Sequence, residues 1–192
     1  MNDPVIIEQT VADLTDYSSV PISFEVRSIL DIEVINRGLG GLVFSERKNE
    51  NPFLKDYDAD EDEGPVHWGK KWNLSNWGVI SAYLHDSRVG GCVIAFDTPG
   101  VDMLEGRKDI AVLWDLRVHP NHRTDGIGSK LFQAAVTWAR ERDCRQLKVE
   151  TQNINVPACR FYARHGCTLG VVNQYAYIEY PDEVELIWYK DL

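Results

Sequence analysis

Arg123-Thr124-Asp125-Gly126-Ile127-Gly128 follows a strand-like segment, Ile110 to Val118, and opens a helix-like one. That context makes the run a candidate cradle for an anion, a pyrophosphate in particular. Glycines at 126 and 128 let a backbone approach a ligand closely. The first N–H groups of the following helix are unpaired donors at the positive end of its dipole. Arg123 adds a full charge beside them. Taken alone, an R-x-x-G-x-G run reads equally well as an ordinary glycine-rich turn, so the decision falls to the surrounding chain.

After the loop, apolar residues at 131, 132, 135, 136, 138 and 139 recur at helical spacing, which predicts a helix over Gly128 to Asp143. Arg140 and Arg142 in its last turn complement the dipole. A strand over Gln146 to Gln152 follows. Asn155 can then cap a short helix that tolerates Pro157 in its first turn and stops at Gly166. The order is strand, helix, strand, helix. Upstream, strands are expected at Val5 to Gln9, Phe24 to Ile35 and Gly41 to Glu46, with Asn36 to Gly40 a turn between the last two. Trp77 to Leu84 and Val89 to Phe96 read as a hairpin closed at His85-Asp86-Ser87-Arg88, and Asn73 to Asn76 as no more than a turn. Thr168 to Val172 and Val184 to Tyr189 close the chain as strands around a Tyr-rich connection, Tyr175 to Tyr180.

At 192 residues with 44% hydrophobic and 10% aromatic content, the chain is globular and can bury a sizeable core. One domain over 1–192 is expected, since no repeat, low-complexity linker or composition break appears. No apolar run approaches the ~20 residues that span a bilayer. The start, Met1-Asn2-Asp3-Pro4, lacks the basic and apolar regions of a secretory signal, so a cytoplasmic location is expected. Cys92, Cys144, Cys159 and Cys167 form no C-x-x-C pair and are expected to be reduced, mostly buried thiols. His119 and His122 flank Pro120 without further spaced ligands, so no metal is expected and they read as solvated loop residues.

A net charge of −10 argues against nucleic acid, whose phosphates are held by Lys and Arg, and favours a cationic partner. Six acids fall within Asp56 to Glu63 (DYDADEDE), so most of the excess is local. The run is either a solvated acidic loop or an electrostatic funnel for a polycation. Asp56, Asp58, Asp60 and Glu61 are its candidate substrate contacts, and a homodimer stays open.

The Arg/Gly loop, together with Glu150-Thr151-Gln152-Asn153-Ile154-Asn155 and Ala158-Cys159-Arg160-Phe161-Tyr162-Ala163-Arg164-His165-Gly166, resembles the GCN5-related N-acetyltransferase (GNAT) superfamily. The match covers about residues 110–170, the acetyl-CoA half of that fold. Within the superfamily, the acidic loop, Ser75-Asn76-Trp77-Gly78, the E-T-Q-x-x-N run and the terminal Glu185 to Lys190 (ELIWYK) look like the streptothricin acetyltransferase group.

The resemblance implies an α/β fold, a mixed central sheet of about six or seven strands flanked by helices. It implies that main-chain groups of Leu116, Arg117 and Val118 pair with the pantetheine arm of acetyl-CoA, the cosubstrate. Amides from Arg123, Thr124, Asp125, Gly126, Ile127, Gly128 and Ser129 would hold the pyrophosphate, and Asn155 would contact pantetheine. Helix capping is by itself a sufficient reason for Asn155. Two departures from the family stand out: Cys167, where an aromatic often follows the glycine, and Asp125, an acid inside an anion loop. The Asp125 side chain should face solvent or cap the helix.

Acetyl transfer to an amine needs the neutral amine, and a Lys-like group of pKa ~10.4 costs about 4.6 kcal/mol to deprotonate at pH 7. A proton acceptor is therefore expected. Strand alternation puts Glu150 and Gln152 on one face, and the resemblance makes Glu150 the first candidate base. Asp115 is the second, with a partly buried, backbone-satisfied acid beside a strand bulge as its alternative, and a water chain could replace both. Tyr162 matches the family's Tyr that faces the departing thiolate. Proton transfer from a phenol of pKa ~10 to a thiol of pKa ~8.5 is uphill by about 2 kcal/mol, so a hydrogen bond to the thiolate describes its role better. Tyr175, Tyr177 and Glu179 are candidate acceptor contacts, with an ordinary solvent-facing strand as the alternative. Streptothricin is the first acceptor candidate. A protein N-terminus, a polyamine or another basic metabolite is the alternative, as is a non-catalytic acetyl-CoA-binding module.

Overall fold

The computed structural model describes residues 3–59 and 63–192. Among the described residues nine strands form: β1 Val5–Gln9, β2 Phe24–Val34, β3 Leu42–Lys55, β4 Gly78–Leu84, β5 Ser87–Phe96, β6 Ile110–Val118, β7 Gln146–Gln152, β8 Thr168–Asn173 and β9 Glu185–Asp191. The α-helices of these described residues are α1 Leu14–Tyr17, α2 Trp68–Lys71, α3 Ile127–Arg140 and α4 Val156–Arg164. Seven strands make one mixed sheet in the order β1-β4-β5-β6-β7-β9-β8, and β2 and β3 form a separate two-stranded sheet. The chain divides into two compact units, the described residues of Met1–Ser23, Asp56–Val149 and Tyr189–Leu192, and those of Phe24–Lys55 and Glu150–Trp188.

In the first unit β1, β4, β5 and β6 run antiparallel, and β6 pairs in parallel with the start of β7. β4 and β5 are buried on both faces, which is why they read as near-continuous apolar runs rather than alternating ones. Two glycines let side chains lie flat on these strands. A Cβ at Gly78 would fall 2.5 Å from the Trp138 ring, and one at Gly91 would fall 2.5 Å from the Tyr17 ring. The β5–β6 register shifts so that Val93 faces Asp115 but Ile94 faces Leu113, leaving Trp114 as the extra residue of a bulge. Trp68, Trp72, Trp77 and Trp114 gather with ring centroids 4.9 to 6.4 Å apart.

α3 buries Ile127, Leu131, Phe132, Ala135, Val136, Trp138 and Ala139 along one stripe. It ends at Arg140 rather than Asp143, because Asp143 takes a left-handed conformation (φ 56) that turns the chain toward β7. Phe132 is almost wholly enclosed, so Phe132→Ala is expected to destabilise the fold by about 3–5 kcal/mol, read as a shift in the denaturant midpoint with an unchanged slope.

In the second unit β2 and β3 pair over a longer stretch than the expected Gly41 to Glu46, reaching Phe24 opposite Lys55. The polar sequence of β3 hides it, since nearly all of its side chains are exposed and show no alternation. Pro52 cannot donate to a ladder, and the register skips from Ser28–Lys48 to Val26–Phe53 around it. Asn49 fills the gap by donating its Nδ2 to the Val26 carbonyl at 3.0 Å. The turn closing this hairpin places Asn36 (φ 48) and Arg37 (φ 55) in the left-handed region within the 3-10 turn Ile35–Gly38. Asn153 organises the other half of the unit, donating to the Leu30 carbonyl (3.2 Å) and accepting from the Val184 amide (2.8 Å). α4 begins at the expected cap, Asn155 Oδ1 accepting from the Ala158 amide at 3.2 Å, and is followed by Gly166 with φ 76.

Among the described residues no helix is long and apolar enough to cross a membrane, and no group of three His, Cys, Asp or Glu could hold a metal ion. The four cysteines are buried thiols without disulfides.

Candidate active site

The loop after β6 is a concave backbone turn. Thr124 (φ 79) and Gly126 (φ 84) both adopt the left-handed region, and Gly126 is the residue before α3. The helix ladder starts with the Lys130 amide donating to the Gly126 carbonyl at 3.2 Å, so the amides of Ile127 and Gly128 precede it. A non-glycine residue in this conformation is sparsely populated and marks a place where the backbone has been shaped. Arg123 braces the turn: its Nε donates to the Val118 carbonyl (3.1 Å) and its Nη2 to the Ser23 carbonyl (2.8 Å). Burial lowers the pKa of this guanidinium below the ordinary arginine value. The Asp125 carboxylate faces His122 at 3.6 Å and is half exposed.

β6 continues beyond its parallel pairing with β7. Its pairing with β7 covers Ile110–Val112 against Gln146–Lys148, and six further residues continue to Val118. Within that extension Asp115 and Arg117 sit two apart on one face, and both are buried. The Arg117 guanidinium, 1% exposed, donates to both oxygens of Asp115 (2.9 and 2.6 Å), both oxygens of Asp58 (2.7 and 3.2 Å) and the Val20 carbonyl (3.0 Å). Tyr17 donates its hydroxyl to Asp115 and lays its ring 5.0 Å from the guanidinium. Burial works against the Arg117 charge, but the neighbouring Asp115 carboxylate outweighs it and pushes the pKa up. Burial and then Asp115 raise the Tyr17 phenol as well.

The end of β7 carries a second cluster. Glu150 Oε1 accepts from the Tyr177 hydroxyl at 2.5 Å and from Gln152 Nε2 at 3.3 Å, while Gln152 also donates to the Tyr177 oxygen at 2.9 Å. Burial raises the Glu150 pKa, partly offset by the Tyr177 hydrogen bond, with the Glu185 charge adding to the rise. Tyr177 is raised by burial and by Glu150. Tyr162 lies on α4, 6% exposed, with its ring edge-on to Phe161 at 5.2 Å.

Thus Glu150 and Tyr177 are brought together, as are Asp115, Arg117 and Asp58. Arg123 reaches Val118. The Asp58 carboxylate is bound to Arg117, and that of Asp115 to Arg117 and Tyr17. Asp56 is exposed and accepts from the Asp58 amide at 3.1 Å. Tyr175 and Glu179 are exposed on the β8–β9 connection. Asp60 and Glu61 lie outside the described residues.

The model of the Acetyltransferase (GNAT) family matches residues 44–167. The chain belongs to the acetyltransferase (GNAT) family. It is therefore an N-acetyltransferase, and its seven-stranded mixed sheet with flanking helices is the GNAT fold. It is similar to streptothricin acetyltransferases. It is 30% identical over 152 residues to Streptothricin acetyltransferase A of Bacillus subtilis (strain 168), covering 78% of this chain and 80% of that protein. It is 27% identical over 189 residues to the Streptothricin acetyltransferase of Escherichia coli, covering 96% of this chain and 92% of that one. A crystal structure from Bacillus anthracis str. Ames, assigned as a streptothricin acetyltransferase and holding acetyl coenzyme A, superposes with a TM-score of 0.75 at 25% identity, covering 99% of this chain and 100% of that one.

Two members of the buried cluster on β6 have only faint signals in the sequence. For Tyr17 the signal is a helix start: Thr10-x-x-Asp13 forms a capping arrangement in which the Thr10 amide donates to Asp13 Oδ2 at 3.0 Å, starting the 3-10 turn Val11–Asp13 that runs into α1. For Arg117 it is the spacing on the strand. The i, i+2 spacing of Asp115 and Arg117 inside an apolar strand is the signal of a buried ion pair.

Proposed function

We propose that residues 1–192 form one acetyltransferase domain that moves an acetyl group from acetyl-CoA to a primary amine of streptothricin, by direct attack of the amine. The observation that carries the acceptor is the similarity to the B. subtilis streptothricin acetyltransferase across 80% of that protein. The acidic excess suits a cationic acceptor.

The residues present fit acetyl-CoA. The turn with Thr124 and Gly126 at positive φ, followed by the first amides of α3, offers donors to a pyrophosphate. The β6 edge beyond Val112, at Leu116 to Val118, offers backbone groups to an extended pantetheine arm. The family resemblance assigns Asn155, the cap of α4, to the same arm. The thioester supplies an activated acetyl group.

On this reading Glu150 accepts the proton that the amine sheds, and a raised pKa suits it to that task, because a base works best when its pKa approaches the operating pH. Tyr177 and Gln152 fix its carboxylate. The Tyr162 hydroxyl stabilises the departing thiolate by a hydrogen bond. Acetylation removes one positive charge from the acceptor.

Release of free CoA thiol with streptothricin, and with a panel of polyamines, peptides and other basic metabolites, tests this. Fastest turnover of streptothricin is expected. Turnover confined to another amine removes the acceptor assignment, and acetyl-CoA binding with no thiol release from any of them removes catalysis.

The loop geometry makes a separate prediction. At Gly126 nothing lies within 4 Å of an added Cβ, so the obstacle to a side chain is the left-handed backbone, costing about 1–2 kcal/mol for a non-glycine residue. Gly126→Val is expected to raise the KM for acetyl-CoA about tenfold, with less effect on the KM of the acceptor; steady-state kinetics with each substrate varied in turn separates the two.

A further inference from the structure

The Arg117 cluster is a buried charge assembly that the acetyl-transfer chemistry does not use. Its members come from three separated stretches of the first unit: Tyr17 and the Val20 carbonyl after α1, Asp58 in the acidic run, and Asp115 and Arg117 on β6. Every oxygen of both carboxylates meets the guanidinium, which forms a fork into each. Such a cluster is costly to desolvate and contributes little net stability, but removing one partner strands a buried charge. What it supplies is fixed geometry. It lies at the bulge where β6 leaves its register with β5, and Gly90 on β5 closes in on the Arg117 carbonyl, where a Cβ would sit 2.8 Å away.

We propose that Arg117 and Asp58 are positioning residues for acetyl-CoA: the guanidinium, clamped from one side by Asp115 and from the other by Asp58, holds the β6 extension so that the backbone of Leu116 and Val118 presents its edge to the cosubstrate. This rests on the proposed assignment of that edge to the pantetheine arm. The inference gives the acidic run a structural anchor at Asp58, distinct from any attraction of cations by the rest of the run. Alternation explains how one strand does both tasks, since Asp115 and Arg117 point into the cluster while Leu116 and Val118 point to the other face, and the backbone edge stays available.

Asp58 is the residue to change, because its side chain is 27% exposed against 5% for Asp115, and Arg117 keeps the Asp115 carboxylate when Asp58 is removed. For Asp58→Ala we expect the Kd for acetyl-CoA, measured by calorimetry without acceptor, to rise about tenfold, with kcat at saturating acetyl-CoA falling less than threefold. Asp58→Glu, which restores a carboxylate, is expected to recover most of the affinity. A residue that merely stabilises the fold would lower the melting temperature and leave Kd unchanged in the folded protein. An Asp58→Ala protein that is folded by circular dichroism and binds acetyl-CoA within twofold of the original overturns the proposal. The amide resonances of Leu116 and Val118 in the unsubstituted protein separate this from failure of the underlying assignment. If they do not shift on adding acetyl-CoA, the β6 edge is not the binding edge. If they shift and Asp58→Ala retains full affinity, the positioning role alone fails.

Discussion

Glu150→Gln is expected to lower kcat by about 10² to 10⁴-fold, the range for loss of a positioned general base, while leaving the affinity for acetyl-CoA unchanged. The amide keeps a carbonyl that can accept from Tyr177, so the local hydrogen bonding survives and the loss is one of basicity. The pH profile should change in shape as well as height. In the unsubstituted protein burial holds the Glu150 pKa above the ordinary carboxylate value, so activity should fall as pH drops through that raised pKa. In the Gln variant this acid limb should vanish. A kcat within threefold of the original, or an unaltered acid limb, would move the proton to a water chain.

The same shift has a consequence for stability, opposite in sign to that of an ordinary paired carboxylate. Folded Glu150 holds its proton to higher pH than the unfolded chain does, so between the ordinary and the raised pKa the native state binds more protons. Stability contributed at this site therefore falls as pH rises through that window. Glu150→Gln should melt at higher temperature than the original near neutral pH, and the difference should close below the ordinary carboxylate range. A basic, desolvated carboxylate is costly to the fold, as expected of a group kept for function.

Tyr162→Phe is expected to reduce kcat by about 10² to 10³-fold, the usual cost of deleting one donor aimed at developing negative charge. The ring is enclosed and packs edge-on to Phe161, so Phe preserves the packing and isolates the hydroxyl. On the proposed role of Tyr162 at the leaving thiolate, the KM of the amine should change little. A rise in the acetyl-CoA KM with kcat intact would assign Tyr162 to binding.

The parts of this site that were legible in the sequence are those with local signals. The cap at Asn155, the glycine before α3 and the alternation of β6 and β7 each follow from residues within one turn or one strand. The proposal of coenzyme A as their ligand comes only from the family resemblance, since an anion cradle alone does not specify it. The clusters were not legible, because they join residues far apart in the chain: Tyr17 with Asp115, Asp58 with Arg117, and Tyr177 with Glu150. The acidic run illustrates the limit. Composition reads it as a funnel or a solvated loop, but a buried guanidinium on a distant strand decides what Asp58 does. The long β3 was hidden for a different reason, having almost no buried face to impose a period.

Mass analysis of streptothricin after incubation with the protein and acetyl-CoA tests the central claim most directly. The account predicts one added acetyl group per antibiotic molecule on a primary amine, matched by one equivalent of released CoA and abolished when acetyl-CoA is withheld. Unmodified streptothricin at saturating acetyl-CoA, with another amine acetylated in its place, would contradict it.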